Sequence, residues 1–353
     1  MTTGFLEFYT GKTVFITGNT GFKGAWLCYW LNMLGAKVVG YSKDIPTDPS
    51  FYKTMDVESS LLKQYWEDIR DRQTLQNAIE SSSVDLVFHL AAQPIVRASI
   101  VDPIDTFETN TIGTANVLDT LRRQAKQIPV VIITSDKCYE NNEWLWGYRE
   151  SDPLGGSDPY SASKAAAELV FSSMTRTYPH LIAATGRAGN VIGGGDWADN
   201  RIVPDAIRYW GQQDFVEVRA PLATRPWQHV LEPLSGYLQL GIELFQRNAC
   251  VIGQSFNFGP SETTSYSVKF LLDEMLLRWP SQKCGYLVSE GAGVEAGLLK
   301  LNCDKAAAVL DWQQRLSIFE TLDYTIDWYW QNMQGGNLKV LCEKQINTFM
   351  KGK

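Results

Sequence analysis

The sequence contains few of the residues that bind metals or form disulfides. Only three of its 353 residues are histidines, His89, His180 and His229. Its six cysteines are scattered, without a CxxC pair or the spacing of a metal site. We therefore expect no histidine-based metal site, and we expect reduced thiols in a cytoplasmic protein.

The chain also lacks an excess of basic residues and any long apolar run. Lys and Arg number 32 against 39 Asp and Glu, giving a formal net charge of −7. This balance argues against a nucleic-acid partner. No signal pattern opens the chain and no apolar run reaches membrane-spanning length, so no membrane partner is expected. With 44% hydrophobic and 20% charged residues, the composition is typical of a globular enzyme.

A glycine-rich turn lies between the first predicted strand and the first predicted helix. Residues 12–17 predict the strand, GNTGFKG follows at 18–24, and residues 25–34 predict the helix. Glycines at this position allow a tight turn and a close approach of the backbone to a pyrophosphate, which the helix N-terminus attracts. The turn is therefore predicted to bind a dinucleotide through six residues: Gly18, Thr20, Gly21, Phe22, Lys23 and Gly24.

Three later segments are candidates for contacts with the rest of the dinucleotide. The second strand ends in Ser42-Lys43-Asp44, where Ser42 and Asp44 could hold the adenosine ribose; this favours NAD, and Lys43 leaves room for a 2′-phosphate. Asp68 could accept from the adenine amino group while Ile69 covers the ring, although a plain helix start explains Asp68 equally. Ala91-Ala92-Gln93 follows the fourth strand, where small residues let a flat cofactor lie against the backbone. Asn110 lies in a helix predicted over residues 105–124.

The candidate catalytic residues fall in two places. Ser135, Asp136 and Lys137 follow an apolar strand at residues 130–133, beyond the carboxyl end of a predicted parallel sheet. Tyr160 and Lys164 are four residues apart in a predicted helix and so share one face of it. A phenol has a free pKa of about 10, and a nearby ammonium and a cationic nicotinamide favour its ionised form.

Together these motifs resemble the extended short-chain dehydrogenase/reductase family, in its nucleotide-sugar branch. Residues 17–24 resemble the family's TGxxGFxG, Tyr160–Lys164 its YxxxK, and Ser135 its catalytic Ser or Thr. The resemblance covers nearly the whole chain. It implies an α/β fold with a Rossmann-type doubly wound parallel sheet, NAD as cofactor, and a smaller C-terminal α/β substrate domain.

Within this branch, Ser135-Asp136-Lys137 resembles the triplet of the 4,6-dehydratases, and its lysine is typical of those that act on CDP-glucose. Residues 187–197, 225–230 and 295–301 fit the same group. The resemblance implies that water is removed from CDP-D-glucose to give CDP-4-keto-6-deoxy-D-glucose, a step towards deoxysugars of surface polysaccharide. Tyr160 would accept the C4 hydroxyl proton, Ser135 would hydrogen-bond that oxygen, and Lys164 would hold Tyr160 and the nicotinamide ribose.

The implied elimination needs an acid at O6 and a base at C5 of the sugar. Asp136 carries over as the acid, which requires that it be protonated. Burial would raise its pKa, whereas a charged Lys137 would lower it. We interpret Lys137 as the C5 base; the alternative is that it stays cationic and stabilises the enolate while another group removes the proton.

The domain organisation implied by the fold is not a simple division of the chain. Residues 1–190 are assigned to the NAD-binding domain, with segments near 229–258 returning to it. Residues 191–228 and 259–340 are assigned to nucleotide-sugar binding, and 341–353 to a solvated tail. Five residues are candidates for binding the substrate diphosphate, which arginine forks suit well: Asn190, Arg201, Arg208, Arg219 and Arg225.

Other functions are compatible with the same scaffold, among them a dehydratase that acts on a different nucleotide sugar. A C4 epimerase on the same scaffold would use Tyr160, Lys164 and Ser135 but leave Asp136 and Lys137 without a role. A catalytically silent NAD-binding regulator would be expected to have lost Tyr160 or Lys164. The family resemblance also implies a homodimer or tetramer, in which helices at 105–124 and 160–174 pair across a two-fold axis.

Overall fold

The computed structural model describes residues 2–260, 266–280, 283–289 and 298–351. Residues 295–297 of the stretch 295–301 named above lie outside these ranges. The strands are β1 Thr13–Thr17, β2 Lys37–Ser42, β3 Lys63–Trp66, β4 Leu86–His89, β5 Val130–Ile133, β6 Ala183–Ala188, β7 Val191–Ile192, β8 Phe215–Val218, β9 Thr224–Arg225, β10 Gln228–His229, β11 Ser255–Phe258, β12 Tyr266–Ser267 and β13 Gly285–Val288.

Helices connect and cover these strands. The α-helices are α1 Thr2–Tyr9, α2 Phe22–Met33, α3 Phe51–Thr54, α4 Arg72–Ser81, α5 Val96–Val101, α6 Pro103–Phe107, α7 Gly113–Arg122, α8 Pro159–Thr177, α9 Ile202–Gly211, α10 Leu231–Phe245, α11 Val268–Arg278, α12 Asp304–Leu310, α13 Ile318–Met333 and α14 Leu338–Lys351. Two 3₁₀ turns, Val57–Ser60 and Asp136–Cys138, and one π-helical segment, Glu108–Ile112, complete the helical structure.

Seven strands form one parallel sheet in the order β11-β6-β5-β4-β1-β2-β3. Strands β1, β4 and β5 are buried along their whole length, which explains their continuous apolar sequences. The strand order reverses at β1, which pairs with β2 on one side and β4 on the other. The crevice beyond the carboxyl ends of β1 and β4 is where open α/β sheets bind their ligands. The predicted Rossmann-type fold is confirmed.

Apolar side chains fill both faces of this sheet. One core cluster includes Trp26 and Trp30 of α2 and Tyr237 of α10. A second cluster on the other face includes Val117 of α7 and Phe171 of α8. Because both faces are covered, the ligand crevice opens at the strand ends and not on a sheet face.

The C-terminal part of the chain contributes to both halves of the molecule. Strand β11 extends the large sheet by pairing with β6, and α10 packs against β5 and β6. The pairs β7–β10, β9–β12 and β8–β13 form three small two-stranded sheets. The division into a cofactor half and a substrate half stays a prediction.

The prediction of a solvated tail over residues 341–353 was wrong for residues 341–351, and residues 352 and 353 lie outside the described ranges. Residues 338–351 form helix α14, whose Cys342, Ile346 and Phe349 are buried in the main core. The Phe349 ring packs edge-on against Trp30, with ring centroids 5.8 Å apart. The lysines of this segment lie on its exposed face, whereas its apolar residues recur at helical spacing and pack against α2 and α13.

The helix predicted over residues 105–124 is interrupted. Helix α6 ends at Phe107, the π-helical segment covers Asn110, and α7 begins at Gly113. A π-helical segment inserts an extra residue per turn and often lies at functional sites. Here it brings Asn110 towards the loop that follows β4.

Neither a membrane span nor a metal cluster is found within the described ranges. Their helices include none that is both long and apolar enough to cross a bilayer. The same ranges contain no group of three or more His, Cys, Asp or Glu residues arranged to hold a metal ion.

Candidate active site

The turn between β1 and α2 is built so that only glycine fits at two of its positions. Gly18 has φ +70°, and a Cβ there would lie 2.6 Å from the backbone nitrogen of Ala91. A Cβ on Gly24 would lie 2.1 Å from the carbonyl oxygen of Gly18. Beside Gly21, by contrast, the nearest atom is that same carbonyl oxygen at 3.5 Å. The turn therefore packs against itself through Gly18 and Gly24 and leaves room for a ligand at Gly21.

The N-terminus of α2 is available to an anion. Its N-cap residue is Gly21, so no described side chain accepts from its first N–H groups. The free N–H groups and the helix dipole favour a pyrophosphate at this end. Lys23 lies in the first turn, with Nζ 3.5 Å from the hydroxyl oxygen of Tyr237. Thr20, by contrast, donates through Oγ1 to the Asp44 carbonyl oxygen at 2.7 Å and fixes the turn.

The two residues predicted for the adenosine ribose differ in position. Ser42 is buried and donates to Asn19 Oδ1 at 2.8 Å, so its hydroxyl supports the glycine turn. Asp44 is exposed just beyond the end of β2. Of these two side chains, only that of Asp44 is therefore accessible to a ribose. Because the Ser42 hydroxyl is buried in the turn, Ser42 does not help to distinguish NAD from NADP.

The structure places Asp68 and Ile69 in different surroundings. The Arg70 guanidinium binds the Asp68 carboxylate with Nε and Nη2, at 3.0 and 2.7 Å. Although burial opposes it, this contact lowers the pKa of Asp68. The Ile69 side chain is buried in the core against Gly113. That Ile69 covers the adenine ring stays a prediction.

The loop after β4 is held by Asn110. Asn110 Oδ1 accepts from the Gln93 backbone N–H at 2.8 Å, and its amide donates to the Gln93 carbonyl oxygen and to Ser163 Oγ. The Ala91 backbone N–H donates to Thr17 Oγ1 at 3.2 Å. Ala92 continues the loop and is partly exposed. These contacts fix the loop and join it to α8, and the contact of Asn110 with the cofactor stays a prediction.

Ser135 and Asp136 form a compact pair at the end of β5. Ser135 caps the short 3₁₀ turn by accepting from the Lys137 backbone N–H, and its hydroxyl donates to Asp136 Oδ1 at 2.9 Å. Asp136 is 3% exposed, and its Oδ2 has no hydrogen-bond partner among the described residues. Burial raises the pKa of Asp136, while Lys137, Ser135 and Arg225 oppose the rise. A buried carboxyl with a raised pKa suits a proton donor.

Helix α8 delivers Tyr160 and Lys164 to the same place. Asp158 caps the helix by accepting from the Ser161 N–H, and Pro159 occupies its first turn. Burial raises the pKa of Tyr160 to about 12, while a hydrogen bond with Ser135 and the charge of Arg201 act to lower it. Lys164 Nζ donates to the Ile133 carbonyl oxygen at 3.3 Å, and burial lowers the pKa of Lys164 to about 8.

Several basic side chains lie near the Asp136 carboxyl and the Tyr160 phenol. Burial, followed by the charges of Lys164 and Arg201, lowers the pKa of Lys23 to about 7. Arg201 pairs with Asp196 at 2.9 Å, and Arg225 acts on the Asp136 carboxyl. A cationic cleft in a chain of net charge −7 attracts anionic ligands such as diphosphates.

The other predicted substrate contacts separate into two groups. Asn190 follows β6 beside the site, and its carbonyl oxygen accepts from the Gln228 N–H at 3.2 Å. Arg208 pairs with Asp199 at 3.1 Å and with Asp205, and it donates to the Trp197 carbonyl oxygen. Arg219 is exposed after the end of β8. The structure thus gives Arg208 a role in fixing a loop, while Arg201 and Arg225 lie at the catalytic residues.

Two supporting residues escaped the sequence analysis. The Tyr160 backbone N–H donates at 3.1 Å to Oγ of Ser99, which is fully buried in α5. Tyr237 of α10 lies beside Lys23, and its own pKa rises by burial and by the nearby charges of Tyr160 and Asp136. Neither residue belongs to a motif with a recognisable spacing, so no pattern pointed to them.

A Rossmann-type sheet with a glycine turn and a Ser/Tyr/Lys site defines a nucleotide-dependent enzyme of the short-chain dehydrogenase/reductase type. The sequence model of the NAD dependent epimerase/dehydratase family matches residues 14–241. The chain belongs to this family. NAD is its cofactor, and the open face at Gly21 with the uncapped start of α2 fits the pyrophosphate of that molecule.

Comparison with known proteins gives relatives of two activities. The chain is 42% identical over 352 residues to a CDP-glucose 4,6-dehydratase of Salmonella typhimurium, covering 98% of each chain. It superposes on a UDP-glucose 4-epimerase of Thermotoga maritima with a TM-score of 0.79 at 19% identity, covering 91% and 99% of the two chains. A dTDP-glucose 4,6-dehydratase of Bacillus anthracis in complex with NAD gives a TM-score of 0.76 at 19% identity, covering 94% and 100%. These two structures support the fold.

Proposed function

We propose that this protein removes water from CDP-D-glucose to give CDP-4-keto-6-deoxy-D-glucose. The observation that carries this proposal is the buried Asp136 carboxyl, with its unpartnered Oδ2, beside Ser135 and Tyr160. A C4 epimerase has no use for an acid there, whereas a dehydratase needs one to protonate the departing C6 oxygen. The CDP-glucose specificity is supported by the relative of 42% identity.

The first half of the reaction uses Tyr160, Ser135 and Lys164. Tyr160 accepts the proton of the C4 hydroxyl, and Ser135 hydrogen-bonds the same oxygen. Because burial raises the pKa of Tyr160 to about 12, cations nearby must favour its ionised form. Arg201 supplies one such charge, and Lys164 holds the phenol and the nicotinamide ribose. The hydride that leaves C4 would be accepted by bound NAD and later returned to C6.

The second half uses Asp136 and Lys137. The ketone at C4 acidifies the C5 proton, which Lys137 removes, and Asp136 protonates the C6 oxygen so that it leaves as water. A proton then returns to C5. C4 is oxidised from an alcohol to a ketone, C6 is reduced from a hydroxymethyl to a methyl group by the hydride taken from C4, and C5 only loses and regains a proton. No net oxidant is therefore consumed, and the only small product is water.

Two other features of the molecule belong to this proposal. Arg201 and Arg225 bind the diphosphate-linked sugar from the substrate half, comprising residues 191–228 and 259–340. Asn190, the last residue of the NAD-binding segment 1–190, binds it from the other side. The chain forms at least a homodimer through α5, α6, the π-helical segment and α8. The exposed side chains on those elements support this pairing: Ile100, Val101, Ile104, Ile112 and Leu169 are 52–86% exposed.

The test is incubation of the purified protein and NAD separately with CDP-glucose, dTDP-glucose and GDP-mannose, followed by mass analysis. We expect the loss of one water from CDP-glucose alone. An isomer of unchanged mass would overturn the dehydratase proposal in favour of epimerisation, and water loss from another substrate would overturn the nucleotide specificity. Tyr160→Phe removes the base, so the variant should fail to oxidise C4; near-normal turnover would exclude Tyr160 from that role.

A further inference from the structure

The loop formed by residues 196–201, here called the substrate loop, is fixed by several polar contacts. Asp196 Oδ2 pairs with Arg201 at 2.9 Å, and Asp196 Oδ1 accepts from the Ala198 N–H at 3.2 Å. From α9, Arg208 pairs with Asp199 at 3.1 Å and donates to the Trp197 carbonyl oxygen at 2.9 Å. These contacts hold the loop to itself and to the substrate half.

One contact of the substrate loop comes instead from the cofactor half. Arg97 Nη1 in α5 donates to Asn200 Oδ1 at 2.9 Å, joining residues 103 positions apart in the chain. Asn200 has φ +62°, a left-handed conformation that asparagine tolerates better than most residues. The residue that follows this left-handed Asn200 is Arg201. The Arg97 contact therefore acts on the residue that presents Arg201 to the catalytic site.

Helix α5 also touches the catalytic helix. Ser99, two residues after Arg97, is fully buried and accepts from the Tyr160 backbone N–H. Residues two apart in a helix point to different sides, so this short helix reaches the substrate loop with one side chain and α8 with another. It links the two residues, Arg201 and Tyr160, whose charges interact across the site.

We propose that Arg97 is a positioning residue. Its hydrogen bond to Asn200, here called the latch, holds the substrate loop against the cofactor half, so that Arg201 lies opposite Tyr160 when the nucleotide sugar binds. The proposal rests on the proposed function, because it takes a diphosphate-linked sugar as the ligand that Arg201 meets. Arg97 itself is not a catalytic residue. Its loss leaves the glycine turn, the start of α2 and the Ser135–Asp136 pair intact.

The consequence is a selective change in substrate binding. Without the latch, the substrate loop is held only from the substrate half and Arg201 is less ordered before binding. In Arg97→Met we therefore expect the KM for CDP-glucose to rise about fivefold to tenfold, the size of effect of one charged hydrogen bond. We expect kcat to change by less than about twofold, and the dissociation constant for NAD to remain unchanged.

The experiment compares Arg97→Met, Asn200→Gly and the double variant. Glycine keeps the left-handed backbone of Asn200 while removing the acceptor. If the two side chains act through one contact, the double variant has the KM of either single variant. Arg247→Met is the matched control, because Arg247 is also an exposed arginine that donates across the fold, to the Gln127 carbonyl oxygen, at the opposite end of the sheet.

Hydrogen exchange of backbone amides provides a readout that needs no substrate. We expect residues 196–201 to exchange faster in Arg97→Met than in the parent protein or in Arg247→Met. A parent protein that dehydrates no nucleotide sugar would defeat the proposed function, and the exchange measurement would still test the latch. Unchanged loop exchange, a KM unaffected by Arg97→Met, or additive effects in the double variant would each overturn the latch.

Discussion

Burial is the main influence on the acid–base groups of the candidate active site. It raises the pKa values of Asp136 and Tyr160 and lowers those of Lys164 and Lys23. For Asp136, whose neighbours include Lys137 and Arg225, burial outweighs the opposing charges. Burial thus moves the pKa of the carboxyl upwards and the pKa values of the two amines downwards, in each case towards the range in which a group exchanges protons near neutral pH.

The role of Asp136 leads to a prediction about pH. A group that must be protonated contributes below its pKa, so dehydration should fall as the pH rises through the raised pKa of Asp136. Asp136→Asn should retain C4 oxidation but slow dehydration by about 10²–10⁴-fold, the usual contribution of a general acid. Reduced nicotinamide should then accumulate, which its absorbance measures. Asp323→Asn, which changes a carboxylate that is 60% exposed on α13, is the control.

The two readings of Lys137 predict different results for two variants. Lys137→Ala removes both a base and a cation, so it should spare C4 oxidation and block dehydration under either reading. Lys137→Arg keeps the cation but cannot act as a base, because the guanidinium is not deprotonated in proteins. We expect Lys137→Arg to be as inactive in dehydration as Lys137→Ala, measured by mass analysis of the product. Restored dehydration in the arginine variant would identify Lys137 as the cation that stabilises the enolate.

The residues that sequence reasoning could predict are those with a required spacing or neighbour. Gly18 and Gly24 are dictated by backbone approach, and Tyr160 and Lys164 by a shared helix face. Arginines carry no such signal, and Arg201 and Arg208 are equally plausible phosphate ligands in the sequence. In the structure both are paired with carboxylates, but the charge of Arg201 also acts on Tyr160, whereas Arg208 is held by Asp199 and Asp205. Which arginine meets a carboxylate depends on tertiary packing, and so do the contacts of Arg97.

At the scale of elements, α14 shows how a polar composition conceals a structural helix. Its buried face continues the main core, and the side chain of Arg315, which lies just before α13, donates to the carbonyl oxygen of Phe349 at 2.8 Å. The helix is therefore attached through side-chain packing and through a side-chain hydrogen bond to its backbone. The π-helical segment at Asn110 is a similar case, since the apolar period of residues 105–124 does not reveal one inserted residue.

The packing of α14 predicts a large loss of stability on truncation of Phe349. The side chain is 3% exposed and contacts Trp30. Phe349→Ala should lower the free energy of unfolding by about 3–5 kcal/mol, through lost burial and the cavity that remains. Denaturant unfolding measures the change. Val340→Ala on the same helix, where the side chain is 59% exposed, should stay within about 0.5 kcal/mol of the parent; equal stability of both variants would show that α14 adds little.

At the scale of the whole molecule, the exposed apolar residues lie unevenly over the surface. Ile100 and Val101 of α5, Ile104 of α6, Ile112 of the π-helical segment and Leu169 of α8 come from elements that contact one another. Helix α5, which carries two of these residues, also holds Tyr160 through Ser99. An assembly built on this surface would therefore support the catalytic helix from outside.

The proposed homodimer predicts that charge on this surface separates the subunits. Burying a glutamate without a partner in an apolar interface is costly, so Leu169→Glu and Ile104→Glu should each shift the protein to monomers, measured by sedimentation. Leu277→Glu is the control, because Leu277 is 79% exposed on α11, away from these helices. The monomeric variants should also lose activity, since α5 and α8 would lose support at their outer faces. A dimer that persists in both variants, or is lost equally in Leu277→Glu, would place the interface elsewhere.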